Sequence, residues 1–134
     1  MRLLIVEDSD NIVKMYQHVL EGVIKDNGFA KKIGELVVDV ADSYKTFKKE
    51  DLASNKYDIA IVDWKLEKGT AEPILKSLNG NCKSTTIISG YADNPGYRKL
   101  WNKMGIDDAH IKDKYIGLKT IESIFKEAID AIQV

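Results

Sequence analysis

Short apolar runs of strand length alternate along the chain with longer stretches of helical period. The runs are Leu3-Leu4-Ile5-Val6, Leu36-Val37-Val38-Asp39-Val40, Ile59-Ala60-Ile61-Val62, Thr86-Ile87-Ile88 and the weaker Ala109-His110-Ile111. This alternation predicts five β-α units, parallel strands joined by crossover helices, rather than an all-helical or all-β design. After Ser9-Asp10, a helix presents Ile12, Tyr16, Val19, Leu20 and Val23 on one face, and Asp26-Asn27-Gly28 follows its end. Ser43 caps a less regular helix carrying Tyr44, Phe47 and Leu52. Lys68-Gly69-Thr70 supplies a turn and a cap before a helix with Pro73 in its first turn and Ile74, Leu75 and Leu78 facing the sheet. Asn94-Pro95 opens the next helix, striped by Tyr97, Leu100, Trp101 and Met104 and stopped by Gly105. The last helix shows the cleanest period, with Leu118, Ile121, Phe125, Ala128, Ile129 and Ile132 on one side.

Four of the runs stop at a polar residue with chemical potential: Glu7-Asp8, Asp63, Ser89 and Lys112. Parallel strands bring all four stops to one edge of the sheet, where open α/β sheets place their ligand crevices. Three carboxylates, a hydroxyl and an ammonium then share a pocket suited to a divalent cation and a phosphoryl group. Asp63, shielded by core on one side and open on the other, is the candidate nucleophile, since a carboxylate can attack phosphorus to give an acyl phosphate. An anionic nucleophile facing an anionic donor needs cations. Magnesium, or manganese in its place, suits Asp8, Asp63 and a nearby backbone carbonyl, with Glu7 acting through water. Lys112 supplies the second cation, pairing with Asp63 or with a phosphoryl oxygen, and Ser89 donates to another oxygen. Taken singly, each residue is more readily a helix cap or a solvated side chain; their joint placement carries the reading.

Composition narrows the field. The 134 residues suit one domain over 1–134, within the roughly 100–150 residues common for domains. With 21 acidic against 20 basic residues, no surplus argues for nucleic acid or an anionic membrane. Cys82 is the only cysteine, which excludes an internal disulfide and fits a reducing, cytoplasmic compartment. The apolar run at the start is too short for a signal peptide, and no run approaches the roughly 20 residues that span a bilayer.

With Leu3-Leu4-Ile5-Val6-Glu7-Asp8, Ile61-Val62-Asp63-Trp64, Ile87-Ile88-Ser89-Gly90 and Ile111-Lys112 in hand, the chain resembles the receiver domain of bacterial two-component response regulators over nearly its whole length. The resemblance implies a flavodoxin-like (βα)5 fold, a doubly wound parallel sheet of order 2-1-3-4-5. It implies Asp63 as phosphoacceptor, Glu7 and Asp8 as the acidic metal pair, and Lys65 as the residue whose backbone carbonyl completes the magnesium shell. Ser89 is then the switch hydroxyl and Lys112 the phosphate-sensing lysine. The implied role is a stand-alone signalling switch without an output domain, monomeric or weakly dimeric. It takes its phosphoryl group from a histidine kinase or histidine phosphotransfer protein and acts by binding a downstream protein. The responsive face is the fourth helix, fifth strand and fifth helix, roughly residues 95–134. Lys65 and Tyr91, two residues beyond Asp63 and Ser89, are expected to tune loss of the phosphate.

The departures from the family pattern are specific. No proline follows Asp63 within a few residues, and Asp113 rather than proline follows Lys112. Ala109 stands three residues before Lys112, where the family usually carries a tyrosine or phenylalanine; Tyr91 and His110 are the candidate substitutes. The stretch from Asp26 to Glu35 is longer than common and reads as a plain loop. Three rivals remain: a flavodoxin-like binder of nucleotide or flavin, which lacks any glycine-rich phosphate loop; a small magnesium-dependent phosphohydrolase; and a degenerate receiver that is never phosphorylated. The expectation is a protein that assists its own phosphorylation and is not a multiple-turnover enzyme.

Overall fold

The computed structural model describes residues 1–132, so the last two residues of the expected responsive face lie outside it. Five parallel strands form one sheet: β1 (Arg2–Val6), β2 (Val37–Ala41), β3 (Tyr57–Val62), β6 (Cys82–Ser89) and β7 (Ile111–Asp113), in the spatial order β2-β1-β3-β6-β7. Counting only these five, the order is the 2-1-3-4-5 of the flavodoxin-like fold. A two-residue antiparallel ladder, β4 (Lys65–Leu66) with β5 (Gly69–Thr70), stands apart from the sheet. The helices are α1 (Asp10–Asp26), α2 (Ala30–Ile33), α3 (Tyr44–Lys49), α4 (Glu72–Leu78), α5 (Pro95–Lys103) and α6 (Leu118–Asp130). None is long and apolar enough to cross a membrane.

The apolar runs form strands because both faces of the sheet are covered, which suits continuous aliphatic stretches better than strict alternation. Leu3, Ile5, Ile59, Ile61 and Ile88 point to a core shared with Val13 and Tyr16 of α1 and Ile121 and Phe125 of α6. Leu4, Val6, Ala60, Val62, Ile87 and Ile111 point the other way, toward Phe47 of α3, Ile74 and Leu75 of α4, and Trp101 of α5. The doubly wound architecture follows from this two-sided burial. Register then decides the site: Val6 pairs with Val62, Val62 with Ile87, and Ile87 with Ile111, so the central strands run out together at one edge.

Local signals behave as their chemistry requires. The Ser43 hydroxyl accepts from the Thr46 N–H at 3.2 Å, and the Asn94 carboxamide oxygen accepts from the Tyr97 N–H at 3.1 Å, capping α3 and α5. Gly105, just after α5, adopts a φ of 87°, a left-handed turn that glycine enters without a Cβ penalty. Ser9 precedes α1 but makes no side-chain cap bond.

Four expectations need correction. Leu52 belongs to a 3₁₀ turn, Leu52–Ser54, because α3 ends at Lys49. The stretch from Asp26 to Glu35 is not a plain loop: it holds α2, which buries Ile33 against the sheet. Lys68-Gly69-Thr70 is part of the β4-β5 hairpin rather than a simple turn, and Ala71, not Thr70, stands at the cap of α4. The fifth sheet strand is Ile111–Asp113, not Ala109–Ile111. Asp108–His110 instead forms a 3₁₀ turn, closed by the His110 N–H on the Asp107 carbonyl at 2.9 Å.

Candidate functional site

The site grows out of the ends of β1, β3 and β6. Glu7 follows β1, with 2% of its surface exposed, and its backbone N–H bonds to the Ala41 carbonyl at 3.1 Å, extending the β1-β2 ladder. Asp63 follows β3, 4% exposed, its N–H bonded to the Val6 carbonyl at 2.8 Å. The neighbouring backbones thus carry both carboxylates to the same edge. Asp8 is the most accessible of the three acids. One oxygen from each of Glu7, Asp8 and Asp63 lies within 4.8 Å of the others, so the structure brings the sequence-predicted acids together.

The hairpin after β3 shapes the other wall. Its Glu67 N–H donates to the Asp8 carboxylate at 2.6 Å, and the Ala71 N–H donates to the Trp64 carbonyl at 2.8 Å. In an antiparallel ladder, hydrogen-bonded and non-bonded pairs alternate. Since Trp64 is bonded to Ala71, the next pair, Lys65 with Thr70, is the non-bonded one, and the Lys65 carbonyl is left free of the ladder.

The lysine at Asp63 is Lys114, and this corrects the assignment of Lys112. The Lys114 ammonium donates to the Asp63 carboxylate at 2.8 Å and lies 3.7 Å from Glu7. Its backbone N–H donates to the Ser89 carbonyl at 3.2 Å, tying it to the end of β6. Lys112 sits inside β7 opposite Ile88, so its side chain leaves from a face of the sheet rather than from its edge. The cause is the two-residue shift of the strand: once Asp107 to His110 turn, the strand ends at Asp113 and the next residue reaches the site. The residue three before the paired lysine is then the buried Ile111, not Ala109, and Tyr115, 91% exposed, follows it.

Ser89 ends β6 with no exposed surface. Its oxygen accepts from the Tyr91 N–H at 3.0 Å, which leaves its own O–H free to donate. Tyr91 is 42% exposed, and the Lys65 ammonium lies 5.9 Å from its ring centroid. The other candidate substitute for the missing ring, His110, lies away from this edge, its Nδ1 3.4 Å from the Thr86 hydroxyl in mid-strand.

The electrostatics are those of a crowded acidic site. Burial, the Asp63 charge and Asp8 push Glu7 up to about 7, against the pull of Lys114 and of the Ser9 N–H, which donates to it at 3.1 Å. Burial likewise raises Asp63, although its bond with Lys114 opposes the shift. Lys114 moves up in turn: burial works to lower it, but its bond to Asp63 and the charges of Asp63, Glu7 and Asp8 outweigh that. One buried oxygen of Glu7 has no hydrogen-bond partner among the described residues. A buried carboxylate oxygen held only by the Lys114 charge at 3.7 Å, beside two further carboxylates, fits a hard divalent cation with oxygen ligands.

A pH dependence follows. A carboxyl raised from 4.5 to about 7 binds its proton in the folded state while the unfolded chain has already lost it. Stability therefore falls as pH rises through that window and levels off above it. Without divalent metal, Glu7→Gln is expected to melt above the wild type at pH 8, with the gap closing by pH 5. A gap that is constant with pH would contradict the assignment of the shift to Glu7.

No protein-family model and no curated protein matches the chain. Solved structures do. A CheY-like response regulator receiver domain protein from Methanospirillum hungatei superposes with a TM-score of 0.71 at 19% identity, over 96% of this chain and 93% of that one. The non-phosphorylated HemR receiver domain of Leptospira biflexa gives 0.68 at 19% identity, over 99% and 96%. A two-component response regulator from Clostridium difficile gives 0.67 at 18% identity, over 100% and 99%. The chain has the fold of response-regulator receiver domains across nearly its whole length.

Proposed function

We propose that this protein is a phosphoacceptor switch of the receiver kind, taking a phosphoryl group onto Asp63 in the presence of a divalent cation. The observation that carries the reading is the convergence of Glu7, Asp8 and Asp63 with the Lys114 ammonium at the carboxyl edge of the sheet. Magnesium held by Asp8, Asp63 and the Lys65 carbonyl, with Glu7 behind, would neutralise charge on the phosphoryl oxygens. The residues do the rest. A carboxylate oxygen of Asp63 attacks phosphorus, a P–O bond forms as the donor's P–N bond breaks, and the electron pair leaves on the donor nitrogen, which picks up a proton. Lys114 moves from the carboxylate to a phosphoryl oxygen, and the free Ser89 O–H donates to another.

The donor class is a phosphorylated histidine on a kinase or phosphotransfer protein, and the output is altered affinity for a downstream protein. Phosphorylation turns the single charge of the Asp63 carboxylate into an acyl phosphate that carries about −1.5 to −2 on oxygens farther out, enough to redirect both Ser89 and Lys114. The face that responds is α5, β7 and α6, whose β7 leads directly into Lys114.

Incubation with phosphoramidate and magnesium, followed by intact mass, tests the reading. One phosphoryl group is expected on the wild type, and none when a chelator replaces the metal. Unchanged mass in magnesium would favour an interaction module that is never phosphorylated, and steady turnover of an ordinary phosphomonoester would favour a hydrolase.

A further inference from the structure

The ring expected near the lysine is absent from β7, whose residues are Ile111, Lys112 and Asp113. Rings are instead gathered where the chain leaves Asp63. Trp64, the residue after it, is 1% exposed and lies 5.5 Å from Trp101 and 5.6 Å from Tyr97, centroid to centroid. Tyr97 stacks on Trp101 at 5.9 Å with the planes 13° apart, and Tyr91 meets Tyr97 edge-on at 5.5 Å. Four rings therefore form one contiguous set, with Tyr97 and Trp101 both on α5.

Both ends of this set are tied to the reacting groups. Trp64 is bonded covalently to Asp63, and its carbonyl is held by Ala71. Tyr91 is tied through its N–H to the Ser89 oxygen at 3.0 Å. If Ser89 turns toward a phosphoryl oxygen, that bond must either drag the Tyr91 backbone with it or break. Dragging displaces a ring that rests on Tyr97, and breaking frees the Tyr91 backbone to carry that ring elsewhere. The indole N–H groups of Trp64 and Trp101 have no hydrogen-bond partner among the described residues, so packing alone holds the two rings and they can shift without breaking a hydrogen bond.

We infer that Tyr91 and Tyr97 are positioning residues that carry the state of Ser89 and Asp63 to α5 through this aromatic set, in place of a ring on β7. The inference rests on the phosphoacceptor reading of Asp63. It gives the coupling a physical carrier with two arrangements, the Tyr91 N–H on Ser89 or released from it, rather than mere proximity.

Amide exchange over Pro95–Lys103, with phosphoryl occupancy measured by intact mass on the same samples, provides the test. In the wild type, phosphorylation is expected to change exchange across α5 by about fivefold or more, the lower end of ordinary allosteric coupling. Tyr97→Leu, which keeps apolar bulk, should still take up the phosphoryl group, and Tyr91→Ala, at a position exposed enough to spare the fold, is compared with it and with the wild type at matched phosphoryl occupancy. Their α5 response should fall below about twofold. Tyr91→Phe keeps ring and amide and should respond like the wild type. A full α5 response in phosphorylated Tyr91→Ala and Tyr97→Leu overturns the inference, as does a phosphorylated wild type with unchanged α5, and both leave the phosphoacceptor reading intact. A wild type that takes up no phosphoryl group overturns both.

Discussion

Replacing Lys114 with alanine is expected to slow phosphorylation of Asp63 by phosphoramidate about 100-fold at saturating magnesium, while Lys112→Ala stays within about twofold of wild type. The asymmetry follows from the 2.8 Å bond between the Lys114 ammonium and Asp63, against a mid-strand Lys112 aimed off a face of the sheet. The ammonium already stands at the carboxylate that the phosphoryl group joins, so a short shift brings it onto a phosphoryl oxygen as charge develops. Single-turnover time courses by intact mass separate the two lysines, and circular dichroism shows whether each variant is folded. Slow transfer in Lys112→Ala with ordinary transfer in Lys114→Ala would return the role to Lys112.

Asp63→Asn is expected to remove phosphoryl uptake and, in metal-free buffer at neutral pH, to raise the melting temperature by a few degrees. The two effects share one cause. Burial, with a smaller push from Asp8, holds Asp63 above its ordinary value against the pull of Lys114, so its ionised form destabilises the fold at neutral pH, and an amide of nearly the same shape removes that charge. Crowded acids kept at a functional site against stability are a familiar compromise. Magnesium should stabilise the wild type and have much less effect on the variant. Scanning fluorimetry with and without magnesium reads both changes; a variant less stable than the wild type in chelator would show that the Lys114 pair outweighs the crowding.

Much of this site was legible in the sequence because strand ends coincide with the ends of apolar runs. Leu3 to Val6 and Ile59 to Val62 are buried on both faces, so the first polar residue after each had to emerge at the edge, and Glu7, Asp8 and Asp63 do. The same logic carried Ser89. It failed at the last strand, where Ile111 is the only buried residue of three and periodicity holds no register. The usable signal there was turn chemistry: paired acids at Asp107-Asp108 favour a turn, which moves the strand two residues on and puts Lys114 at its end. The β4-β5 hairpin is too short for any period to announce. The aromatic set draws rings from two loops and a helix, and only the tertiary approach of α5 to the end of β3 brings them together.

Peptide mapping of the protein after incubation with phosphoramidate and magnesium tests the central claim most directly. A single modified peptide containing Asp63 is expected in the wild type, with none in Asp63→Asn. A phosphoryl group on His18 or His110, or one that persists in Asp63→Asn, would contradict it.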